Sequence, residues 1–410
     1  MSRSAALACS VVWVALAAGC GPELCPQELW QPCDAREAAC VERVFRAIQC
    51  ERGSAGEGTP PTSRVIDRDT YRAVLREWTA EVAPTPHLDA ALQMLGVIDA
   101  GSSDVEAYIE SRVRSVAAFY ASDDNQITII DRGAPMSTDE DLFLLAHEVT
   151  HATQHQRYDL TARLDGVETS RDDFERRVLV EGDAVFFAAL YQLHRRGADP
   201  HNLDWHRWHS EWLRELLDSL YLETAPLYPS LSGLRYPLGA AWVSSAWEEG
   251  GLEAIDALWR APTPGARELV RGRSTLPVTR PIACPRPAPP AELSERRGDT
   301  FGPAGVYAFL ATSTLSTAGG WSVAGHVVDD RLSVYGDDAG ERSAFQWQIR
   351  MDQRDSAITF ESSSRGWCEE HGLRLTVRDT EIVISGASRG AEPDPGTLSR
   401  WSAGDAPCMD

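Results

Sequence analysis

The order of apolar and polar positions divides the chain into a long helical stretch, a short hairpin and a later run of strands. Tyr71, Val74, Leu75 and Trp78 recur at helical spacing, as expected for one buried face of a helix. Further helical spans are predicted over 88–95 and 105–116. Two short apolar runs, 118–121 and 126–131, flank Ser122-Asp123-Asp124-Asn125. Turn residues between two such runs predict a β-hairpin. A helix should begin near Thr138, because Ser137 and Glu140 have the spacing of a capping box. Farther on, a helix is predicted over 304–312, with strands over 326–335, 344–351, 373–377 and 381–385. An amphipathic helix over 353–362 separates the first pair of strands from the second.

Two breaks punctuate this pattern. Residues 51–63, ERGSAGEGTPPTS, have the composition of a linker, and 279–290 hold five prolines in twelve residues. A chain of 410 residues exceeds the size at which one hydrophobic core keeps growing, so two folded units are expected. The divisions are an export signal at 1–19, a Cys-rich segment and linker at 20–63, a larger unit at 64–278, a Pro-rich linker at 279–295, and a smaller unit at 296–410. The smaller unit is expected to be α+β, with helices packed on one face of an antiparallel sheet.

Charge and leader narrow the setting. The formal net charge is −22, which repels phosphate backbones and argues against nucleic acid as a partner. Arg3 precedes an apolar run over 5–18 that is too short to span a bilayer, and small residues lead to Cys20. Leu16-Ala17-Ala18-Gly19-Cys20 resembles a bacterial lipobox, with Ala17 where leucine is usual. Cys20 is the expected lipidation site, and Gly21 points to an outer-membrane anchor by resemblance to lipoprotein sorting rules. An ordinary signal peptide cleaved nearby is the alternative, and either reading exports the chain. Seven cysteines remain after Cys9 and Cys20, four of them between Cys25 and Cys50. Disulfides are expected there, stapling a helix over 36–50 to the preceding loop. Cys284 is the candidate for the odd thiol.

Chemistry concentrates in LFLLAHEVTHATQHQ, residues 142–156. His147 and His151 are four apart, so a helix stacks both imidazoles on one face, where they can share one cation. Glu148 lies beside the first ligand and can reach a metal-bound water, as a general base requires. His155 extends the same row but lies about 12 Å along the axis from His147, too far for one tetrahedron. Gln154 and Arg157 stand where an extended metzincin pattern needs glycine and histidine. Glu181 follows in the strongly apolar stretch RVLVEGDAVFFA, where an unpartnered carboxylate would be costly. It is therefore the expected third ligand of a Zn2+ site whose fourth position stays open. His201, His206 and His209 sit among tryptophans without a ligand spacing and are expected to pack or face solvent.

HEVTHATQHQRYDL, LVEGDA, and Tyr236-Pro-Leu-Gly239 followed by AAWVSSAWEEGGLEAIDALW together resemble a family of largely uncharacterised bacterial and archaeal predicted metallopeptidases of the gluzincin class. The likeness spans roughly 115–275 and continues more weakly through GGWSVAGHVVDDRLSVY. The resemblance implies an α+β fold, with a mainly helical zincin-like domain, a small β-sheet and a smaller C-terminal α+β domain. It implies His147, His151 and Glu181 as zinc ligands, Glu148 as base, and a peptide or protein substrate. Tyr236 would either donate to the tetrahedral oxyanion or simply pack. The chain departs from the pattern at His155, where the family has aspartate, and at Val185, where thermolysin-like relatives carry a second aspartate. Orientation of the first histidine then falls to Asp183 or a backbone carbonyl. The strand over 126–130 is expected to offer an exposed edge to an extended substrate. An inactive zincin scaffold with a binding or assembly role is the alternative function.

Overall fold

The computed structural model describes residues 25–82, 84–131, 138–272, 293–313 and 315–388. The leader, Cys20, the Ser137 cap, the proline-rich break and Cys284 lie outside these residues. Helix α1 (Ala38–Glu51) buries Val41, Val44, Phe45 and Ile48 on one face. Disulfides Cys25–Cys50 and Cys33–Cys40 staple it to the loop before it, as the crowding of cysteines implied. The free thiol among the described residues is the buried Cys368.

Strand β1 (Thr62–Asp67) leads into α2 (Arg68–Trp78), capped by the Asp67 carboxylate accepting from the Thr70 amide. Helices α3 (Pro86–Met94) and α4 (Asp104–Ser115) follow, the latter capped by Ser103. Strands β2 (Ala118–Ala121) and β3 (Gln126–Asp131) form the expected antiparallel hairpin, with Asn125 at φ 46° in its turn. β1 pairs in parallel with the other side of β3, giving the order β1-β3-β2. The strand expected to present an open edge is therefore the central one, and the edges are β1 and β2. The reason is visible in composition: β3 buries Ile127, Thr128 and Ile130, whereas β1 is mostly exposed and polar. Trp78, expected on the buried face of α2, is 57% exposed. The helix outruns the small cluster it covers, made by Tyr71, Leu75, Ile109, Val113 and Ile130.

Next come α5 (Thr138–Tyr158), α6 (Leu160–Leu164) and α7 (Ser170–Arg195), then α8 (Trp205–Tyr221), α9 (Leu227–Gly233), α10 (Arg235–Arg260) and α11 (Ala266–Val270). Within α10, Gly250 and Gly251 leave helical geometry, Gly251 at φ 64°, so the Gly-Gly pair breaks the helix. A second sheet uses β4 (Ser294–Asp299), β5 (Val327–Gly336), β6 (Ser343–Met351), β7 (Arg374–Arg378) and β8 (Glu381–Ala387). It is antiparallel throughout, in the order β4-β5-β6-β8-β7. Helices α12 (Gly302–Ala311), α13 (Thr317–Ala324) and α14 (Arg354–Glu370) accompany it. β4 and α13 carried no clear pattern in the sequence, since β4 reads SERRGD and α13 is rich in glycine and alanine. Among the described residues, no helix is long and apolar enough to cross a membrane.

The two sides of the proline-rich break share a core. Leu88, Val178 and Leu238 join Phe309, Trp347 and Ile384 in one hydrophobic cluster. Polar ties reinforce it: Arg171 pairs with Asp329 at 2.6 Å, and the Ser170 amide and hydroxyl donate to Asp299 at 2.9 and 2.8 Å. Buried Asp330 accepts from the Phe301 and Gly302 amides and from the Trp347 indole, capping α12 from a strand. A second cluster gathers α1, α5 and α7 around Phe45, Leu145 and Phe186.

Helices α7 and α10 cross at Gly182 and Gly239. A Cβ on Gly239 would lie 2.0 Å from the Val178 carbonyl oxygen and 2.8 Å from Gly182 Cα. Only hydrogen fits there, and the backbones move together accordingly. This contact puts Glu181 and Tyr236, each near its helix's crossing point, beside one another. Gly239→Ala should therefore destabilise the fold by about 3 kcal/mol through overpacking, read as a lower urea midpoint in equilibrium unfolding.

Candidate metal centre

The site is built where α5 passes α7. His147, Glu148 and His151 lie in the interior of α5, far from its fraying ends, and Glu181 lies mid-way along α7. His147 and Glu148 are buried, while His151 and Glu181 are half-buried. His147 Nε2 and His151 Nε2 are 3.1 Å apart, and Glu181 Oε2 is 3.3 Å from the first and 3.4 Å from the second. The four-residue spacing on one helix sets the first distance, and the Gly182–Gly239 crossing supports the placement of the third atom.

This donor set fits a zinc ion. A tetrahedral ion with bonds of about 2.0–2.1 Å holds neighbouring ligand atoms about 3.4 Å apart, close to all three edges of the triangle. Hydrogen bonding alone fits less well. Each Nε2 carries at most one proton, so at most two of three edges can be satisfied, whereas one cation satisfies all three. Two imidazoles and a carboxylate also suit the softness of zinc better than that of magnesium or calcium, which favour all-oxygen shells. Among the described residues, this is the group of histidine, cysteine and acidic side chains close enough to hold a metal ion.

Electrostatics agree with the geometry. Burial would raise the Glu181 carboxyl, but hydrogen bonds from His147 and His151 outweigh it and hold it well below the usual carboxylate range. Burial opposes charge on His151, yet the Glu181 carboxylate pushes this imidazole up to about 9. Protons and a metal ion thus compete for the same lone pairs. Burial raises the Glu148 carboxyl, partly offset by the fields of His147 and His151. The Tyr236 ring lies 5.8 Å from that of His147, and burial, followed by the Glu181 charge, raises its hydroxyl well above the ordinary value. Tyr236 therefore remains a hydrogen-bond donor.

A second layer orients His151. Its Nδ1–H donates to Gln154 Oε1 at 2.9 Å, and the Gln154 amide donates to the Val180 carbonyl at 2.9 Å and to Asp183 Oδ2 at 2.6 Å. Arg52, just past α1, donates to the same Asp183 oxygen and lies 3.9 Å over the Phe187 ring. Of the two acceptors expected for the first histidine, Asp183 or a backbone carbonyl, Asp183 is bonded elsewhere. Asp183 is committed to Gln154 and Arg52 and acts on the second histidine through the glutamine. Gln154 was legible as a neighbour of His151, because residues three apart share a helical face. Arg52 was not, being 131 positions from Asp183.

Other sequence candidates fall outside the triangle. His155 packs near Tyr120, and its Nδ1 is buried without a hydrogen-bond partner. His209 bonds the Ser244 hydroxyl at 3.0 Å, with burial lowering it to about 4, and His201 stacks on Trp247. Both serve packing, as expected. The triangle opens into a cavity of about 950 Å³ whose walls include Phe119, Tyr120, Val185 and Tyr236. The edge strand β2 forms part of that wall, which gives the cleft the open edge that β3 lacks.

Gln154→Ala should lower zinc affinity about 10- to 100-fold, the usual effect of losing such an orienting partner. Competition with a chromogenic chelator measures it, and the fold should survive.

No family model, no curated protein and no solved structure matches this chain, so the chemistry rests on the arrangement described above.

Proposed function

We propose that the protein is an exported zinc-dependent peptidase of zincin type, held at the cell envelope through a lipid on Cys20. The observation that carries the reading is the near-equilateral triangle of His147, His151 and Glu181 donor atoms with buried Glu148 beside it. The sheet edge, the metal-binding helix and the crossing helix that brings the third ligand support the zincin-like assignment. Two disulfides are compatible with an extracytoplasmic setting.

Zinc, when bound, supplies Lewis acidity that polarises a carbonyl and acidifies water. The chain's own groups perform the proton work. Glu148, its proton affinity raised by burial, takes a proton from the attacking water as the oxygen bonds to the scissile carbon. It then passes that proton to the amine nitrogen as the carbon–nitrogen bond breaks, and the second water proton follows to the same nitrogen, yielding a carboxylate and an ammonium group. Tyr236, kept protonated, donates to the oxygen on which negative charge develops. An extended peptide adds to the free edge of β2 by backbone hydrogen bonds, which fixes its direction along the cleft.

Glu148→Gln should retain zinc in elemental analysis while hydrolysis of a mixed peptide library falls about 10²- to 10⁴-fold. Unchanged hydrolysis with zinc in place would remove Glu148 from this role.

A further inference from the structure

Three arginines line the cavity beside the triangle: Arg112, Arg114 and Arg177. Arg177 pairs with Asp173 at 2.7 Å, and Arg114 pairs with Glu223 at 3.3 Å. Arg112, in the last turn of α4, has no carboxylate within ion-pairing distance among the described residues, and its Nε is buried without a hydrogen-bond partner. Its charge interacts with the hydroxyls of Tyr71, Tyr108 and Tyr236 and with the Glu148 and Glu181 carboxylates. Arg112 is half-buried in the wall of the cavity that holds the triangle, and leaving a shielded N–H of a charged group unpaired is costly unless an acceptor arrives.

Placement along the cavity points the same way. Arg112 lines the same cavity as Ala118, Phe119 and Tyr120 of β2, so a peptide laid along that edge lies in the cavity whose wall holds Arg112. A guanidinium presents paired N–H donors that match a carboxylate in two parallel bonds. A neutral carbonyl offers that fork a single oxygen and no charge.

Building on the peptidase reading, we propose that Arg112 is a substrate-binding residue that selects peptides bearing a carboxylate near the scissile bond. That carboxylate is either the peptide C-terminus or an aspartate or glutamate side chain.

The test reads binding apart from turnover. Calorimetry on the zinc-loaded Glu148→Gln chain compares one peptide as free acid and as C-terminal amide, and with an internal glutamate or glutamine. The carboxylate form should bind about tenfold or more tightly in one of the two comparisons. Loss on amidation identifies the C-terminus, and loss on Glu-to-Gln replacement in the peptide identifies the side chain. Adding Arg112→Gln should erase the difference with zinc content unchanged. If that variant loses zinc, Arg112→Lys, which keeps the charge and the stem but not the fork, should cut the preference about threefold or more. No preference in either comparison, or a preference undiminished by both substitutions, would overturn the proposal. Failure of the unsubstituted chain to cleave any peptide would count against the peptidase reading alone, because the preference is read from binding.

Discussion

Three lone-pair atoms held within 3.4 Å of one another are an unfavourable arrangement unless a positive charge sits among them. Two imidazole nitrogens and a carboxylate oxygen all seek a proton or a cation, and partial burial leaves them little water to share. Much of the surrounding structure can be understood as the means of enforcing that approach. The α5 helix fixes the two imidazoles by its pitch. The α7–α10 crossing at Gly182 and Gly239 brings in the carboxylate, with Tyr236 on the other helix of the same crossing. Neither element alone makes a site.

The support extends outward through hydrogen bonds. His151 is held by Gln154, Gln154 by the Val180 carbonyl and Asp183, and Asp183 by Arg52. Arg52 lies two residues past Cys50, which is bonded to Cys25. A disulfide in the N-terminal segment thus anchors the helix that delivers the outermost member of a chain ending on a candidate ligand. The N-terminal segment is therefore part of the scaffold of the site. The same economy appears in the shared core, where residues on both sides of the proline-rich break pack together.

Much of the site was legible because its information is local. Two histidines four apart and a glutamate beside the first declare a helix face, and Glu181 stood out as a charge in an apolar helix. The hairpin was legible from its turn, and four later strands from their apolar runs. What was hidden depends on distant partners. β1 is polar and exposed, so nothing in its own residues reveals that it pairs in parallel with β3 and turns that strand into the centre of the sheet. β4 is equally polar. Arg52 and Arg112 each look like ordinary surface arginines in sequence. Their roles appear only when one is found under Asp183 and the other without a paired carboxylate in the wall of the cavity.

The most direct test of the account is anomalous diffraction at the zinc edge from crystals of the chain purified without chelator or soaked in zinc. The account predicts a strong peak about 2.0–2.1 Å from Nε2 of His147 and of His151 and at similar distance from a Glu181 oxygen. Zinc-soaked crystals with no peak at these side chains, or with the Glu181 carboxylate turned away from both rings, would contradict it.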